Sequence, residues 1–92
     1  MDLMKLEYTV QVWREENQYV AHAMPIDVAS SGDSPESARQ AVDEAVKLFL
    51  STASKHGTLR QVLEDSGYRR IRGEWRGPVW SGFEQRSILA KV

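Results

Sequence analysis

The segment Gly32-Asp33-Ser34-Pro35-Glu36 divides the chain, because the spacing of apolar residues changes across it. Before it, apolar residues recur at every second position, as in β-strands; after it, they recur at every third or fourth position, as in an α-helix. Ser34 is a residue type that caps helices, Pro35 suits the first helical position, and the Glu36 carboxylate favours the positive end of a helix dipole. The segment therefore predicts a sheet before it and a helix after it.

Three strands are predicted before this boundary. Leu6 to Trp13 alternates apolar and polar side chains and is rich in β-branched and aromatic residues, which is typical of a half-buried strand. Polar residues 15–18 predict a hairpin loop, and Tyr19 to Met24 predicts the second strand, which Pro25 ends because proline cannot donate a hydrogen bond to a sheet. Ile26 to Ser31 completes an antiparallel three-stranded meander.

Two helices are predicted after the boundary. The first runs to about Lys55 and is stopped by Gly57, because glycine readily takes the left-handed conformation that ends helices. The second spans Leu59 to Ser66. It is expected to begin with a capping box, in which the side chains of Thr58 and Gln61 bind each other's backbone amides.

The apolar stripe of the first helix is wider than one sheet face requires. One interpretation is that the following segment covers the extra width. The other is that one flank of the helix contacts a partner. The stripe predicted to face the sheet consists of Ala38, Ala41, Val42, Ala45, Leu48 and Phe49, and the flank consists of Val46, Leu50 and Ala53.

The C-terminal part of the chain is interrupted by glycines and a proline. Tyr68 to Trp75 alternates and predicts a further strand, whereas residues 83–92 predict either a last strand or a segment that crosses to a second subunit. The predicted fold class is α+β, with element order β-β-β-α-α-β. Residues 1–68 form its sheet-and-helix part, and residues 69–92 form an Arg- and Trp-rich strand and tail of the same domain.

Length and composition favour one small cytoplasmic domain. The 92 residues suffice for one core, and the chain contains no Cys, which excludes disulfides and thiolate chemistry. No apolar run approaches the length of a transmembrane helix, so no membrane contact is expected. Residues 1–5 lack the basic-then-apolar layout of a signal peptide, which indicates the cytoplasm.

Charge is unevenly distributed although the net charge is only −1. Residues 1–50 carry four basic and nine acidic side chains, a net charge of −5, whereas residues 51–92 carry eight basic and four acidic side chains, a net charge of +4. This asymmetry favours either a charged partner or an oligomer in which the two regions meet.

No residue pattern predicts catalysis, a metal or a cofactor, so we expect a protein that is not an enzyme. The chain lacks a Gly-x-Ser-x-Gly elbow, a phosphate loop and a dinucleotide fingerprint. His22 and His56 have no local partner for acid–base chemistry and are interpreted as structural. A metal-dependent nuclease needs carboxylates that converge on one site, but solvated charges are expected here. The only candidate carboxylates are Glu7, Asp27, Asp33, Asp43 and Glu44.

Arginines are concentrated in residues 69–76, which also contain Trp75. Arginine beside tryptophan can hold phosphates and stack on bases, and this is the alternative function to be weighed. The same charges can instead protect a strand edge from aggregation or dock on the acidic half of a neighbouring subunit. A protein contact is favoured over nucleic acid. The candidate nucleic-acid-binding residues are Arg69, Arg70, Arg72 and Arg76.

Apolar residues also cluster in this glycine-broken region. They either cover the open end of the core or form an interface, since tryptophan is enriched where interfaces are strongest. Together with the helix flank, they predict a surface for a partner or for a second copy of the chain. The candidate interface residues are Val46, Leu50, Trp75, Val79 and Trp80.

Three stretches of the sequence resemble the HicB antitoxin family. Its usual pattern is a meander that ends in a Gly-Asp-Thr/Ser-x-Glu-x-Ala helix start, followed by an amphipathic helix that ends in Leu-Phe/Tyr-Leu. The match extends over roughly residues 5–68. The stretches that carry it are Tyr19-Val20-Ala21, Asp27 to Ala38, and Ala41 to Leu50.

This resemblance implies a partial RNase H-like fold that lacks the catalytic carboxylates of the nuclease. It implies a protein that binds and neutralises a small basic toxin that cleaves mRNA. The wide apolar stripe of the first helix and the tail aromatics, taken with this fold pattern, also predict a homo-oligomer, a dimer or a tetramer. Many HicB-like proteins also bind operator DNA through a C-terminal helical segment. Here only the Gly-broken Arg- and Trp-rich tail follows Gly67, so the resemblance points to the toxin as partner.

Overall fold

Three strands, two helices and two short strands follow one another along the described part of the chain, and the computed structural model confirms the predicted α+β class. The structure describes residues 4–92, so Met1 to Leu3, part of the stretch interpreted above for targeting, lie outside the described residues. Within residues 4–92, no helix is both long and apolar enough to cross a membrane. The elements are β1 (Thr9–Glu15), β2 (Gln18–Met24), β3 (Val28–Gly32), α1 (Pro35–Lys55), α2 (Leu59–Asp65), β4 (Arg69–Ile71) and β5 (Glu74–Arg76).

The first sheet is an antiparallel meander with strand order β1-β2-β3. Strand β1 begins at Thr9 rather than at Leu6, and the register explains the shift. Thr9 pairs with Met24, so the preceding residue would have to pair with Pro25, which has no N–H to donate. The alternation that predicted a strand from Leu6 therefore continues past the point at which a pairing partner exists.

The two faces of this sheet have different neighbours. Val10 and Val12 of β1 pair with Ala23 and Ala21 of β2, and these four side chains point towards the core, with both alanines fully buried. The small alanine side chains allow α1 to lie close to the sheet. On the opposite face, β1 and β2 present Gln11, Trp13 and His22, of which Trp13 remains 43% exposed.

Helix α1 begins and ends where the sequence predicts. The backbone N–H of Ser37 donates to the Ser34 side chain, and the N–H of Ser34 donates to the Ser37 hydroxyl, each over 3.0 Å. Gly32 lies against this cap, since a Cβ placed on it would be 2.8 Å from the backbone nitrogen of Ala38. The glycine is therefore required by the close approach of β3 to the start of α1.

Both helices end in the same backbone motif, the Schellman motif. After α1, the N–H of Thr58 donates to the carbonyl of Ala53 over 2.9 Å, and the N–H of Gly57 donates to Ser54 over 3.1 Å. The predicted capping box at the start of α2 is wrong. Because the turn at Gly57 directs Thr58 back towards α1, its hydroxyl also donates to the Ala53 carbonyl, over 3.3 Å, and makes no cap for α2.

The side of α1 that enters the core differs from the predicted stripe. Val46 and Ala53, assigned above to the flank, are buried, whereas Leu48, assigned to the core, is 69% exposed. The reason is the placement of α1 over β3 and β2 rather than over β1, which turns the helix towards the Val46 side. The core cluster consists of Ala21, Ala23, Ile26, Ala38, Val42, Val46, Leu63 and Tyr68.

The predicted strand Tyr68 to Trp75 is a two-stranded hairpin of β4 and β5, which we call the arginine hairpin (residues 69–76). Its turn residues Arg72 and Gly73 have φ angles of 53° and 81°, as a two-residue type I′ turn requires. Residues 77–92, the C-terminal tail, contain no helix or strand. The tail is the reason that the chain extends over 48 Å in one direction but only 31 Å and 24 Å in the others.

Candidate protein-interaction surface

An apolar cleft lies where the start of β1, the end of β2, the arginine hairpin and the C-terminal tail meet. Its volume is about 600 Å³, and carbon-rich side chains form most of its wall. Trp75 and Trp80 contribute the largest rings. The apolar residues that line the cleft are Met24, Pro25, Ile71, Trp75, Pro78, Val79 and Trp80.

Tyr68 fixes the position of the arginine hairpin against the sheet. It is the residue after the α2 Schellman motif, in which its N–H donates to the Leu63 carbonyl over 3.0 Å, and only 2% of it is exposed. Its hydroxyl donates to the backbone carbonyl of Glu7 over 2.6 Å. Burial, reinforced by the nearby Glu7 charge, raises the pKa of Tyr68 to about 12. The hairpin therefore leaves the body in a fixed direction, beside the cleft.

A second groove, the β1 edge groove, lies between β1 and the tail. Its volume is about 450 Å³, and it is lined by Thr9 to Trp13 and by Phe83. Successive residues of a strand point to opposite faces, so five consecutive residues can line one groove only along the edge of the strand. The Phe83 ring also contacts Trp80, with ring centroids 5.6 Å apart, so the two aromatic rings connect the two concavities.

Two arginines of the arginine hairpin interact with other residues of the same hairpin. The guanidinium of Arg70 lies 5.9 Å from the ring centre of Trp75, and Arg76 pairs with Glu74 over 2.9 Å. Arg69 lies directly opposite Arg76 across the two strands, and like charges in this position repel each other, although the Glu74 carboxylate beside Arg76 offsets part of the repulsion. The hairpin therefore presents positive charge while one face of Trp75 is covered.

An Asp–His pair lies on the open face of the sheet. Nε2 of His22 and Oδ1 of Asp27 are 2.6 Å apart, and the ring of Trp13 approaches the imidazole edge to face. Asp27 has a φ of 62°, a left-handed conformation that aspartate tolerates better than most residues. The sequence interpretation missed this partner of His22. The signal that could have found it is the turn at Pro25, which returns the chain beside β2.

The candidate carboxylates do not converge. Asp43 accepts a hydrogen bond of 2.6 Å from the Tyr8 hydroxyl, and Asp27 is held by His22. Desolvation, together with the Asp43 carboxylate, raises the pKa of Tyr8 to about 12. Among residues 4–92, no group of three or more His, Asp or Glu side chains is arranged to hold a metal ion.

Comparisons with known proteins identify no relative of this chain. No protein-family model, curated protein or solved structure matches the chain. The function must therefore be argued from the surface itself, and the HicB resemblance stays a prediction.

The structure brings only some of the predicted interface residues together. Trp75, Val79 and Trp80 line the apolar cleft; Val79 is 94% exposed and Trp80 is 42% exposed. Val46 is 2% exposed and belongs to the core, so its assignment to an interface is wrong; Leu50 is half-buried and packs against the same core. On α1 the exposed apolar residue is Leu48 instead.

Proposed function

We propose that this chain is a HicB-like, non-enzymatic binding domain that neutralises a small mRNA-cleaving toxin by covering it. The observation that carries the proposal is the apolar cleft with its exposed tryptophan and valine at Trp80 and Val79. Exposed aromatic residues around a concave apolar surface are typical of the centre of a protein–protein interface.

The surface suits a peptide segment of a protein better than a polar small molecule. The wall of the cleft is mostly carbon, and its polar lining residues are Glu7, Tyr8, Thr9 and Arg76. A few polar groups around an apolar wall can orient a bound segment while apolar contacts supply the affinity. We therefore assign the cleft to an apolar side chain of the partner.

The charge distribution supports a basic partner. Strands β1 to β3 and most of α1 lie within residues 1–50, which carry a net charge of −5. A protein that cuts RNA carries basic residues to hold phosphates, so an acidic inhibitor is attracted to it and competes with the RNA. This is the same charge relation that the HicB resemblance implies.

The proposal is tested by co-expressing the chain with the product of the neighbouring reading frame, one of the two carrying an affinity tag. We expect a short basic protein to co-purify and its RNA cleavage to be suppressed in the complex. Trp80→Ala should weaken binding at least tenfold, which corresponds to about 1.4 kcal/mol. Leu48→Ala is the control, since it removes an exposed apolar side chain that does not line the cleft. Absence of a complex, or a complex that Trp80→Ala leaves unchanged, would contradict the proposal.

A second candidate function, nucleic-acid binding, is favoured by the opposed pair Arg69 and Arg76. A phosphate between the two guanidiniums would relieve their repulsion. This candidate predicts that the chain binds single-stranded RNA with an affinity that falls steeply between about 50 and 200 mM salt. Arg69→Gln should reduce that salt dependence, whereas Arg39→Gln, which removes a guanidinium 3.6 Å from Glu36 on α1, should not. Undetectable or salt-independent binding excludes it.

A further inference from the structure

One edge of strand β1 has no paired strand among the described residues, although Phe83 lies beside part of it. The strand pairs only with β2, through seven consecutive residue pairs. Natural edge strands are usually protected by bulges, prolines or lysines. Strand β1 contains no proline or lysine, its charged side chains are confined to its last two residues, Arg14 and Glu15, and its pairing is regular throughout. The edge is therefore open to an added strand.

The C-terminal tail supplies an unpaired segment in the same chain. Its last apolar residues make almost no contact: Ile88 is 89% exposed, Leu89 101% and Val92 117%. Residues 83–92 contain no glycine and no proline, so they can form a strand. A chain therefore carries both a free edge and a free segment that could pair with such an edge.

Most of the tail cannot pair with the β1 edge of its own chain. Phe83 lies beside Thr9 to Trp13, and only two residues of β1, about 7 Å, follow Trp13. The nine residues after Phe83 span about 30 Å when extended. In the other direction, residues 77–80 line the same cleft as Thr9. Most of the tail must therefore lie beyond the sheet of its own chain.

The surface area agrees with a second copy as the missing partner. The chain has an accessible surface of 7708 Å², whereas a compact monomer of 10.5 kDa has about 5,400 Å². The radius of gyration is 15.6 Å, compared with about 12 Å for a compact chain of this length. The excess surface is about 2,300 Å² per chain. If two copies exchanged their tails and buried this surface, the interface would have the size of an obligate homodimer interface.

The geometry points to a homodimer in which residues 83–92 of each copy pair, as an added strand, with the β1 edge of the other copy. Each copy donates one segment and accepts one, so a single two-fold axis closes the assembly and leaves no free edge at either β1. The connection at Ser81 and Gly82 is open enough to direct the tail outwards, since no atom lies within 4 Å of a Cβ built on Gly82. This inference concerns the protein alone and does not depend on a toxin.

The exchange is tested by cross-linking, which the absence of native Cys makes specific. Two single variants, Gln11→Cys on β1 and Leu89→Cys in the tail, are mixed, incubated at elevated temperature to exchange subunits, and treated with a short thiol-to-thiol linker. We expect the main product to join one chain of each variant. Light scattering on the uncross-linked protein should give twice the 10.5 kDa chain mass.

Two further variants separate the exchange from other modes of association. Deletion of residues 83–92, and the double substitution Ile88→Ser with Leu89→Ser, should each give a monomer with unchanged helix content by circular dichroism. Leu48→Ser, a matched change at an exposed leucine of α1, should remain a dimer. A monomeric wild-type protein overturns the inference, and so does a dimer that survives the deletion or that cross-links only through two copies of Gln11→Cys. None of these results bears on toxin binding, which is measured separately through Trp80.

Discussion

Residues 4–68 and residues 69–92 differ in the exposure of their apolar side chains. All the buried residues in the described part of the chain lie between Ala21 and Tyr68, whereas seven of the ten exposed large apolar residues lie between Ile71 and Val92. The first region is stabilised by a core between its sheet and its helices, and by the caps of those helices. The second has similar residue types but no second layer of its own to cover them. Apolar residues therefore form a buried core in the first region and stay mostly exposed in the second.

The sharpest test of this contrast replaces leucines in the first region only. Leu63 is 0% exposed and Leu48 is 69% exposed, although both lie on helices. Leu63→Ala should lower the free energy of unfolding by about 2–5 kcal/mol, because it leaves a cavity. Leu48→Ala should change it by less than about 0.5 kcal/mol. Urea unfolding of both variants measures the difference, and equal effects would show that burial in this core has been misassigned.

Tyr68 connects the two regions, and its contribution to stability is tested by varying the pH. The pKa of Tyr68 is about 12 in the folded chain and about 10 when unfolded, so its contribution is complete below pH 10 and is lost as the pH rises towards 12. Two pKa units correspond to about 3 kcal/mol. Wild type should therefore lose stability relative to Tyr68→Phe over this interval, as measured by denaturant titration at each pH. A difference between the two proteins that stays constant from pH 9 to 12 would contradict this assignment.

Glycines give the smallest and most local comparison. Gly32→Ala in the first region places a Cβ 2.8 Å from the Ala38 backbone and should cost about 1–3 kcal/mol. Gly82→Ala in the tail meets nothing within 4 Å and should stay within about 0.5 kcal/mol of wild type. Thermal unfolding of the two variants compares them directly. Similar shifts in melting temperature would mean that the tail is packed more tightly than the structure has it.

Local signals account for the parts of the fold that the sequence predicts well. The bounds of α1 follow from Ser34 and Pro35 at one end and Gly57 at the other, since caps act within one turn of the helix. The turn at Arg72-Gly73 was missed because arginine is rare at a positive φ, and the alternation around it continues as if one strand were present.

Tertiary placement accounts for most of what the sequence could not predict. Periodicity identifies the apolar side of α1 but not how far the helix is displaced over the sheet, and this displacement exchanged the roles of Val46 and Leu48. In the same way, Trp75, Val79 and Trp80 are apolar in sequence, yet only the direction of the arginine hairpin brings them to one cleft.

The Schellman motif at the end of α2 has a consequence for chain length. Because Tyr68 follows the last turn of α2 directly, the hairpin and tail leave the helix at an angle set by the number of residues in α2. Each residue added to a helix turns its end by about 100° around the axis. A single insertion between Leu59 and Asp65 would therefore swing the tail away from β1 without altering any residue of either surface. The number of residues in this short helix, as much as their identity, determines which neighbours the tail can reach.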